Sequence, residues 1–178
     1  MTRAQLEHII RAAAAISGDD EIIVVGSQSI LGAFPAAPAA LRVSMEADVY
    51  PKHHPEQSDL IDGSIGEGSI FHDTFGYYAQ GVGPETATLP ADWEERLIPV
   101  RNENTRGATG WTLDPHDLAI AKYVANREKD RHFLSVAVSH GLLKKTVLLE
   151  RLAKTSLDEA GRTQVKRAVE SDFSNAKP

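Results

Sequence analysis

The sequence has no cysteine among its 178 residues. Disulfides, thiolate-bound metals, iron–sulfur clusters and cysteine nucleophiles are therefore excluded, which is compatible with a reducing compartment. No apolar run approaches the ~20 residues that a membrane-spanning helix needs. Glu7, His8 and Arg11 interrupt the N-terminal segment, so it lacks the apolar core of a secretory signal. We expect a soluble cytoplasmic protein.

Signatures of two common enzyme classes are missing as well. The chain has neither the Gly-x-Ser-x-Gly elbow of serine hydrolases nor the Gly-x4-Gly-Lys-Ser/Thr loop of P-loop proteins. Of its seven histidines, His53 and His54 are adjacent and the others are scattered, and none of them has the spacing of metal ligands. These two enzyme classes and a histidine metal site therefore find no support in the sequence.

The composition that remains is that of a folded protein, since 42% of the residues are hydrophobic and 25% are charged. The formal net charge of −6 is unevenly distributed. Residues 1–112 hold 7 basic and 16 acidic side chains, a net charge of −9, whereas residues 113–178 hold 12 basic and 9 acidic, a net charge of +3. This asymmetry indicates that the two parts face different partners.

Hydrophobic spacing predicts helices and strands in alternation through the first part of the chain. Apolar residues recur at helical spacing over residues 3–17, which predicts an amphipathic helix. Residues 22–25 form a β-branched run without polar alternation, typical of a strand buried on both faces. A second strand is predicted over residues 43–50. Further short strands are predicted over residues 77–82, 97–100 and 110–113.

A different pattern begins at Asp114-Pro115, which combines an N-cap with a first-turn proline. The chain is then helical in pattern as far as Phe173. The sequence thus predicts two domains, an α/β core over residues 1–113 and a helical subdomain over residues 114–178.

The candidate site begins where the first predicted strand ends. Gly26-Ser27 breaks the apolar run and precedes a short predicted helix, residues 28–34. Free N–H groups at the helix start, together with the Ser27 hydroxyl, form a natural seat for phosphate. The alternative is that Gly26-Ser27 is only a turn.

The second predicted strand carries Glu46 and Asp48, two residues apart, so both carboxylates project from the same face. Neighbouring carboxylates repel each other unless a cation lies between them, and their hard oxygens suit Mg²⁺ or Mn²⁺. Such an ion, bridging to phosphate oxygens, would hold a triphosphate for in-line attack. The alternative is that both residues are solvated side chains of an edge strand.

This succession of strand, Gly-Ser, helix and Glu-x-Asp strand resembles the polymerase-β-like nucleotidyltransferase superfamily. The segment from Leu113 to Lys122, continuing through residues 127–130, is similar to small nucleotidyltransferase-like proteins related to the toxins of type IV toxin–antitoxin systems. The resemblance extends over residues 20–140 and includes Phe71-His72, Phe75-Gly76-Tyr77-Tyr78, Leu89-Pro90, Trp93 and Arg96-Leu97. It implies an α+β fold, with a mixed sheet flanked by helices and a C-terminal helical segment.

The resemblance also assigns roles by position. Gly26-Ser27 matches the family's phosphate-binding Gly-Ser, and Glu46 and Asp48 match its metal-binding acidic pair. Lys122 matches a lysine that contacts the phosphates of the nucleotide, and Asp130 matches a later acidic residue near the active site.

Two features depart from the superfamily's pattern. The first acid is a glutamate rather than the commoner aspartate, so its carboxylate reaches one methylene further. Many members use a third carboxylate on a later strand, for which Asp73 and Glu85 are candidates outside any clear strand pattern. Without a third acid, a single-metal mechanism is favoured over a two-metal one.

Lys122 stands alone among apolar neighbours on its predicted helix. It either snorkels to the surface or points at an anion, which here would be the triphosphate. The charged residues that follow, such as Arg127 and Asp130, have the alternative interpretation of ion pairs on a solvated helix face.

Our leading hypothesis is a metal-dependent nucleotidyltransferase that moves a nucleoside monophosphate from a nucleoside triphosphate to an acceptor hydroxyl, with Mg²⁺ or Mn²⁺. The resemblance implies tRNA as the acceptor, a toxin-like role and an antitoxin protein as partner. One alternative is a nucleotide-binding module that has lost catalysis. The other is transfer to a protein or to a cationic small molecule, which the acidic first part of the chain suits.

Overall fold

The computed structural model describes residues 1–176. The chain divides into two compact units. The first comprises residues 1–86 and 97–113, and the second comprises residues 87–96 and 114–176.

A five-stranded mixed sheet forms the centre of the first unit. Its strands are β1 (Glu21–Val24), β2 (Glu46–Pro51), β3 (Tyr78–Gly81), β4 (Ile98–Val100) and β5 (Thr109–Thr112). They lie in the order β3-β2-β1-β5-β4. Strand β1 pairs antiparallel with β2 and parallel with β5, β2 pairs parallel with β3, and β4 pairs antiparallel with β5. Ile22, Ile23 and Val24 are buried, as the unbroken apolar run predicts for a central strand.

The first helix, α1 (Arg3–Ser17), is confirmed at the predicted residues. Thr2 caps its N-terminus in a reciprocal arrangement with Gln5. Gly18 ends it in the left-handed conformation, at a φ of +70°, which glycine adopts without steric cost. Both ends of α1 are therefore set by the residues that directly flank the helix in sequence.

Helix α1 covers one face of the sheet. Its Ile10 side chain packs onto Gly110 of β5 so closely that a Cβ there would overlap it. Gly110 is paired with Ile22, and Ile22 with Pro51, so these residues share the covered face. Because side chains alternate along a strand, the two acidic residues of β2 project from the opposite face.

Three further helices belong to the first unit, namely α2 (Ile30–Ala33), α3 (Ser58–Ile65) and α4 (Ile70–Phe75). The short helix α4 was not predicted. Strand β2 begins at Glu46 and not at Val43, so the strand predicted over residues 43–50 is too long at its start. Val43 and Met45 are 76% and 54% exposed, so apolar character did not signal a buried strand there.

The second unit is helical and contains α5 (Pro115–Ala125), α6 (Glu128–Ser139), α7 (Lys145–Ala153) and α8 (Glu159–Asn175). Asp114 caps α5 as predicted, because its side chain accepts a hydrogen bond from the His116 N–H at 2.9 Å. Asn126 ends α5 in the left-handed region at a φ of +50°. This break between α5 and α6 was not predicted.

A buried carboxylate ties residues 87–96 to the helices of the second unit. Asp117 is fully buried on α5 and accepts a hydrogen bond from Arg96 Nε at 2.8 Å. Arg151 Nε of α7 lies 3.1 Å from its other oxygen. A carboxylate between two guanidinium groups is the arrangement in which a buried charge is tolerated.

The predicted fold class is confirmed. The chain has a mixed α+β fold, with a five-stranded sheet, flanking helices and helices at its C-terminal end. Within residues 1–176, none of the helices combines the length and apolar character needed to cross a bilayer.

Candidate active site

The Gly-Ser turn directly follows β1 in the first unit. The N–H of Val25 donates to the backbone oxygen of Asp48 at 3.0 Å, which joins the turn to β2. Gly26 has an extended conformation (φ −80°, ψ −169°) that any residue can adopt. Its lack of a side chain matters for another reason, since a Cβ there would collide with the Asp48 carboxylate and lie 3.0 Å from the Asp48 Cβ. The glycine thus allows Asp48 to lie against the turn.

Replacing Gly26 by alanine should displace the Asp48 carboxylate. The backbone tolerates alanine, so the effect arises from this contact alone. We expect a loss of about 1–3 kcal/mol of unfolding free energy from overpacking, together with weaker binding of divalent cations. Urea denaturation and titration with Mn²⁺ measure the two effects.

The matched control for this substitution is Gly63→Ala in α3, where an added Cβ meets no atom within 4 Å. A helical glycine replaced by alanine should gain about 0.5–1 kcal/mol. If Gly26→Ala were as well tolerated as Gly63→Ala in both measurements, the close packing of Asp48 on the turn would be refuted.

The acidic pair lies on the face of β2 opposite to α1, where both side chains are half-buried. Glu46 accepts a hydrogen bond from the Tyr78 hydroxyl through Oε2, at 3.2 Å. Burial, reinforced by the Glu46, Glu67 and Asp48 carboxylates, raises the pKa of Tyr78 to about 12. The phenol therefore stays protonated at neutral pH and donates.

The strand beside the acidic pair provides no third carboxylate. In the parallel register of β2 and β3, Glu46 is paired with Tyr78 and Asp48 with Gln80. The two candidates, Asp73 and Glu85, lie on α4 and on the short 3₁₀ helix at residues 84–86. No group of three or more His, Asp or Glu residues suited to a metal ion exists in the described part of the chain. Within the described residues, the candidate metal site therefore consists of the Glu46 and Asp48 carboxylates without a third.

Gln28 and Ser29, next to the turn, are two buried polar residues that the sequence interpretation missed. Ser29 is fully buried and its hydroxyl oxygen accepts a hydrogen bond from the Leu113 N–H at 2.5 Å. Gln28 is also fully buried, and its amide nitrogen and oxygen have no hydrogen-bond partner within residues 1–176. Burying an amide without hydrogen bonds costs free energy, so Gln28 is less favourable at this position than an apolar residue of similar size would be. No periodic signal distinguishes these residues in the sequence.

Lys122 and Asp130, the other two predicted site residues, contact each other in the second unit. Lys122 Nζ donates to Asp130 Oδ1 at 2.9 Å and lies 4.5 Å from the centre of the Phe133 ring. Lys122 is only 5% exposed, so of the two alternatives for this residue, snorkelling to the surface is excluded. Its ammonium group is instead held by a carboxylate and an aromatic face.

Asp130 also pairs with Arg127, whose Nε donates to Oδ2 at 2.6 Å. The ion pair itself agrees with the alternative interpretation of these charged residues, but the carboxylate is fully buried and does not lie on a solvated face. Burial alone would raise the pKa of Asp130, but the hydrogen bonds and charges of Arg127 and Lys122 outweigh it and lower that pKa. Asp130 is therefore ionised at neutral pH.

The structure brings the predicted residues together in two groups. In the first unit, Gly26 lies against Asp48, and Glu46 lies on the same strand face. In the second unit, Lys122 contacts Asp130. The catalytic, phosphate-binding and metal-binding roles of these residues stay predictions.

Comparison with known proteins identifies the family. A family model described as "Nucleotidyltransferase of unknown function (DUF6036)" matches residues 4–175. The chain therefore belongs to this nucleotidyltransferase family. No curated protein and no solved structure matches the chain.

Proposed function

We propose that the chain is a metal-dependent nucleotidyltransferase that transfers a nucleoside monophosphate from a nucleoside triphosphate to an acceptor hydroxyl. Membership of the family implies a nucleotide substrate. The observation that carries the proposal is the packing of the Asp48 carboxylate directly on Gly26, with Glu46 on the same face. This packing supports the proposal, because a carboxylate pair beside a turn that would bind phosphate is what this chemistry requires.

The donor set fits Mg²⁺ or Mn²⁺. Mg²⁺ in nucleotide sites is bound by one or two carboxylates together with substrate phosphates, and does not need an all-protein cage. Glu46 and Asp48 provide the two carboxylates, and the glycine at position 26 leaves room for the second of them. When bound, the ion would neutralise negative charge on the triphosphate.

The remaining site residues receive roles within this proposal. The N–H groups and hydroxyl of Gly26-Ser27 would bind the β- and γ-phosphates. For Lys122 the sequence resemblance supports a role at the phosphates, where it would neutralise the charge that develops on the leaving pyrophosphate. Asp130, which contacts it at 2.9 Å, would hold its ammonium group in place. In the reaction, the acceptor oxygen forms a bond to the α-phosphorus while the bond to the β-phosphate oxygen breaks. The products are the nucleotidylated acceptor, pyrophosphate and the proton released from the hydroxyl.

For the acceptor we propose the 3′ end of a tRNA, in a cytoplasmic toxin-like protein restrained by an antitoxin protein. This part of the proposal is supported by the sequence resemblance and by the excess of basic residues in the C-terminal segment, 12 basic against 9 acidic over residues 113–178. Basic residues bind the phosphate backbone of RNA by displacing its counterions.

The test is incubation of the purified protein with each labelled triphosphate, Mg²⁺ and total tRNA, beside a reaction containing EDTA. We expect one of the labelled nucleotides to appear on tRNA in the reaction with Mg²⁺ and none to appear in the reaction with EDTA. Mass spectrometry after offering proteins and aminoglycosides distinguishes the other acceptor classes. Absence of transfer to every acceptor class would refute the enzymatic proposal.

A second candidate is a nucleotide-binding module without catalysis. It is favoured by one observation, namely that the residues of β3 paired with Glu46 and Asp48 are Tyr78 and Gln80, neither of which is a carboxylate. This candidate predicts that a triphosphate raises the melting temperature of the protein while no product forms with any acceptor.

A further inference from the structure

The proposed metal ligand Glu46 is held by a residue from the neighbouring strand. The Tyr78 hydroxyl donates to Glu46 Oε2 at 3.2 Å, and the two residues are direct partners in the parallel register of β2 and β3. A carboxylate has about four lone-pair sites on its two oxygens. It can therefore accept the phenol's hydrogen bond and still coordinate a cation.

Tyr78 is itself fixed in place. It is only 8% exposed, and its ring centre lies 4.6 Å from that of His72 on α4. The Gly68 N–H donates to His72 Nδ1 at 3.0 Å, and the Ser69 hydroxyl accepts from the His72 N–H at 3.1 Å. The start of α4 thus holds the imidazole, the imidazole packs on the phenol, and the phenol holds the Glu46 carboxylate.

A glutamate needs such support more than an aspartate does. Its side chain has one more rotatable bond, so placing its carboxylate costs more conformational entropy. Hydrogen bonds from a second layer of residues commonly fix metal-binding side chains in this way. The phenol restricts the extra freedom that the longer side chain brings.

We propose that Tyr78 is a positioning residue that fixes the Glu46 carboxylate for binding of a divalent cation. This inference rests on the proposed function, because it assumes that Glu46 is a metal ligand. It adds a residue from β3 to a metal site whose proposed ligands both lie on β2.

The test is the Tyr78→Phe variant of the full chain, which removes only the hydroxyl. Titration with Mn²⁺ alone, followed by the electron paramagnetic resonance signal of the free ion, measures the affinity. We expect binding to weaken about 10-fold, at the lower end of the effect of losing such a second-layer partner. The melting temperature of the variant checks that the fold is intact.

Tyr77→Phe is the matched control. Tyr77 is the preceding residue in the chain, and its hydroxyl is hydrogen-bonded to His8 Nδ1 at 2.8 Å, away from Glu46. Loss of this hydroxyl should leave the affinity for Mn²⁺ unchanged. A reduction equal to that in Tyr78→Phe would overturn the proposal, since it would show a general effect on the fold.

A double-variant cycle provides a readout that a merely structural role would not change. In a Glu46→Asp background the shorter side chain cannot make the same contact, so Tyr78→Phe should have less than a twofold effect on Mn²⁺ affinity. An undiminished effect in this background would overturn the inference.

Failure of this inference is distinguishable from failure of the proposed function. If the wild-type protein binds Mn²⁺, Glu46→Gln abolishes that binding and Tyr78→Phe leaves it unchanged, then the role of Tyr78 alone is refuted. If the wild-type protein binds no Mn²⁺ with or without a triphosphate, the metal-dependent function fails, and the role of Tyr78 fails with it.

Discussion

Replacing Asp48 by asparagine is expected to reduce nucleotidyl transfer about 10³-fold, which corresponds to ~4 kcal/mol of transition-state stabilisation. The substitution preserves the shape of the side chain but removes one of the two charges that would hold the divalent cation. The fold should persist because the side chain is half-buried, and the backbone oxygen of residue 48 still accepts from the Val25 N–H. The rate of label transfer and the melting temperature are the measurements.

The controls for Asp48→Asn are Asp73→Asn and Glu85→Gln. Both residues were candidates for a third carboxylate, and neither lies on a strand of the sheet. We expect each of these variants to retain transfer within twofold of wild type. If Asp48→Asn retained activity within tenfold of wild type, the assignment of the acidic pair would be wrong.

The second large effect is on stability. Asp130→Asn should lower the free energy of unfolding by about 3 kcal/mol, since breaking a buried ion pair by removing one partner is strongly destabilising. Asp130 is fully buried and pairs with both Lys122 and Arg127, so the substitution leaves two cations side by side. Urea denaturation at pH 7 measures the loss.

Two further variants test whether the loss of stability is specific to the buried carboxylate of Asp130 or follows from neutralising any acidic residue on α6. Glu128→Gln neutralises an exposed carboxylate in the same first helical turn and should change stability by less than ~0.5 kcal/mol. Lys122→Met combined with Asp130→Leu removes the buried pair altogether and should recover most of the lost stability. Equal losses in Asp130→Asn and Glu128→Gln would contradict the importance of the buried pair.

The lowered pKa of Asp130 also predicts an acid dependence of stability. The folded protein holds the pKa of this carboxyl below its ordinary value of 3.8. The resulting stabilisation is therefore fully present above that value and is lost as the pH falls towards the folded-state pKa. The free energy of unfolding, measured by urea denaturation at pH 7 and again below pH 4, should differ less between the two pH values for Asp130→Asn than for the wild type.

Elements set by neighbouring residues were predictable from the sequence. Helix α1 was placed correctly because its apolar spacing and the glycine at its end are local signals. Strand β1 was recognised by its β-branched run, and the start of α5 by Asp114-Pro115. The start of β2 was misplaced because Val43 and Met45 are apolar but exposed, and no local pattern reveals that exposure.

The partners of the site residues were harder to predict. Tyr78 meets Glu46 through strand pairing across 32 positions, and the parallel register that aligns them is a property of the whole sheet. Lys122 meets Asp130 across the break at Asn126, so the spacing of a continuous helix does not apply. Lys122 is buried, and no local pattern distinguished this outcome from the alternative of snorkelling to the surface.

By itself the sequence determined that Glu46 and Asp48 share a strand face and that Gly26-Ser27 follows a buried strand, because alternation along a strand and breaks by glycine are properties of the local backbone. Only the tertiary structure decided that the Asp48 carboxylate packs on Gly26 and that the neighbouring strand brings the Tyr78 phenol to Glu46. These contacts depend on strand order and register, which are fixed by the packing of residues far apart in the chain.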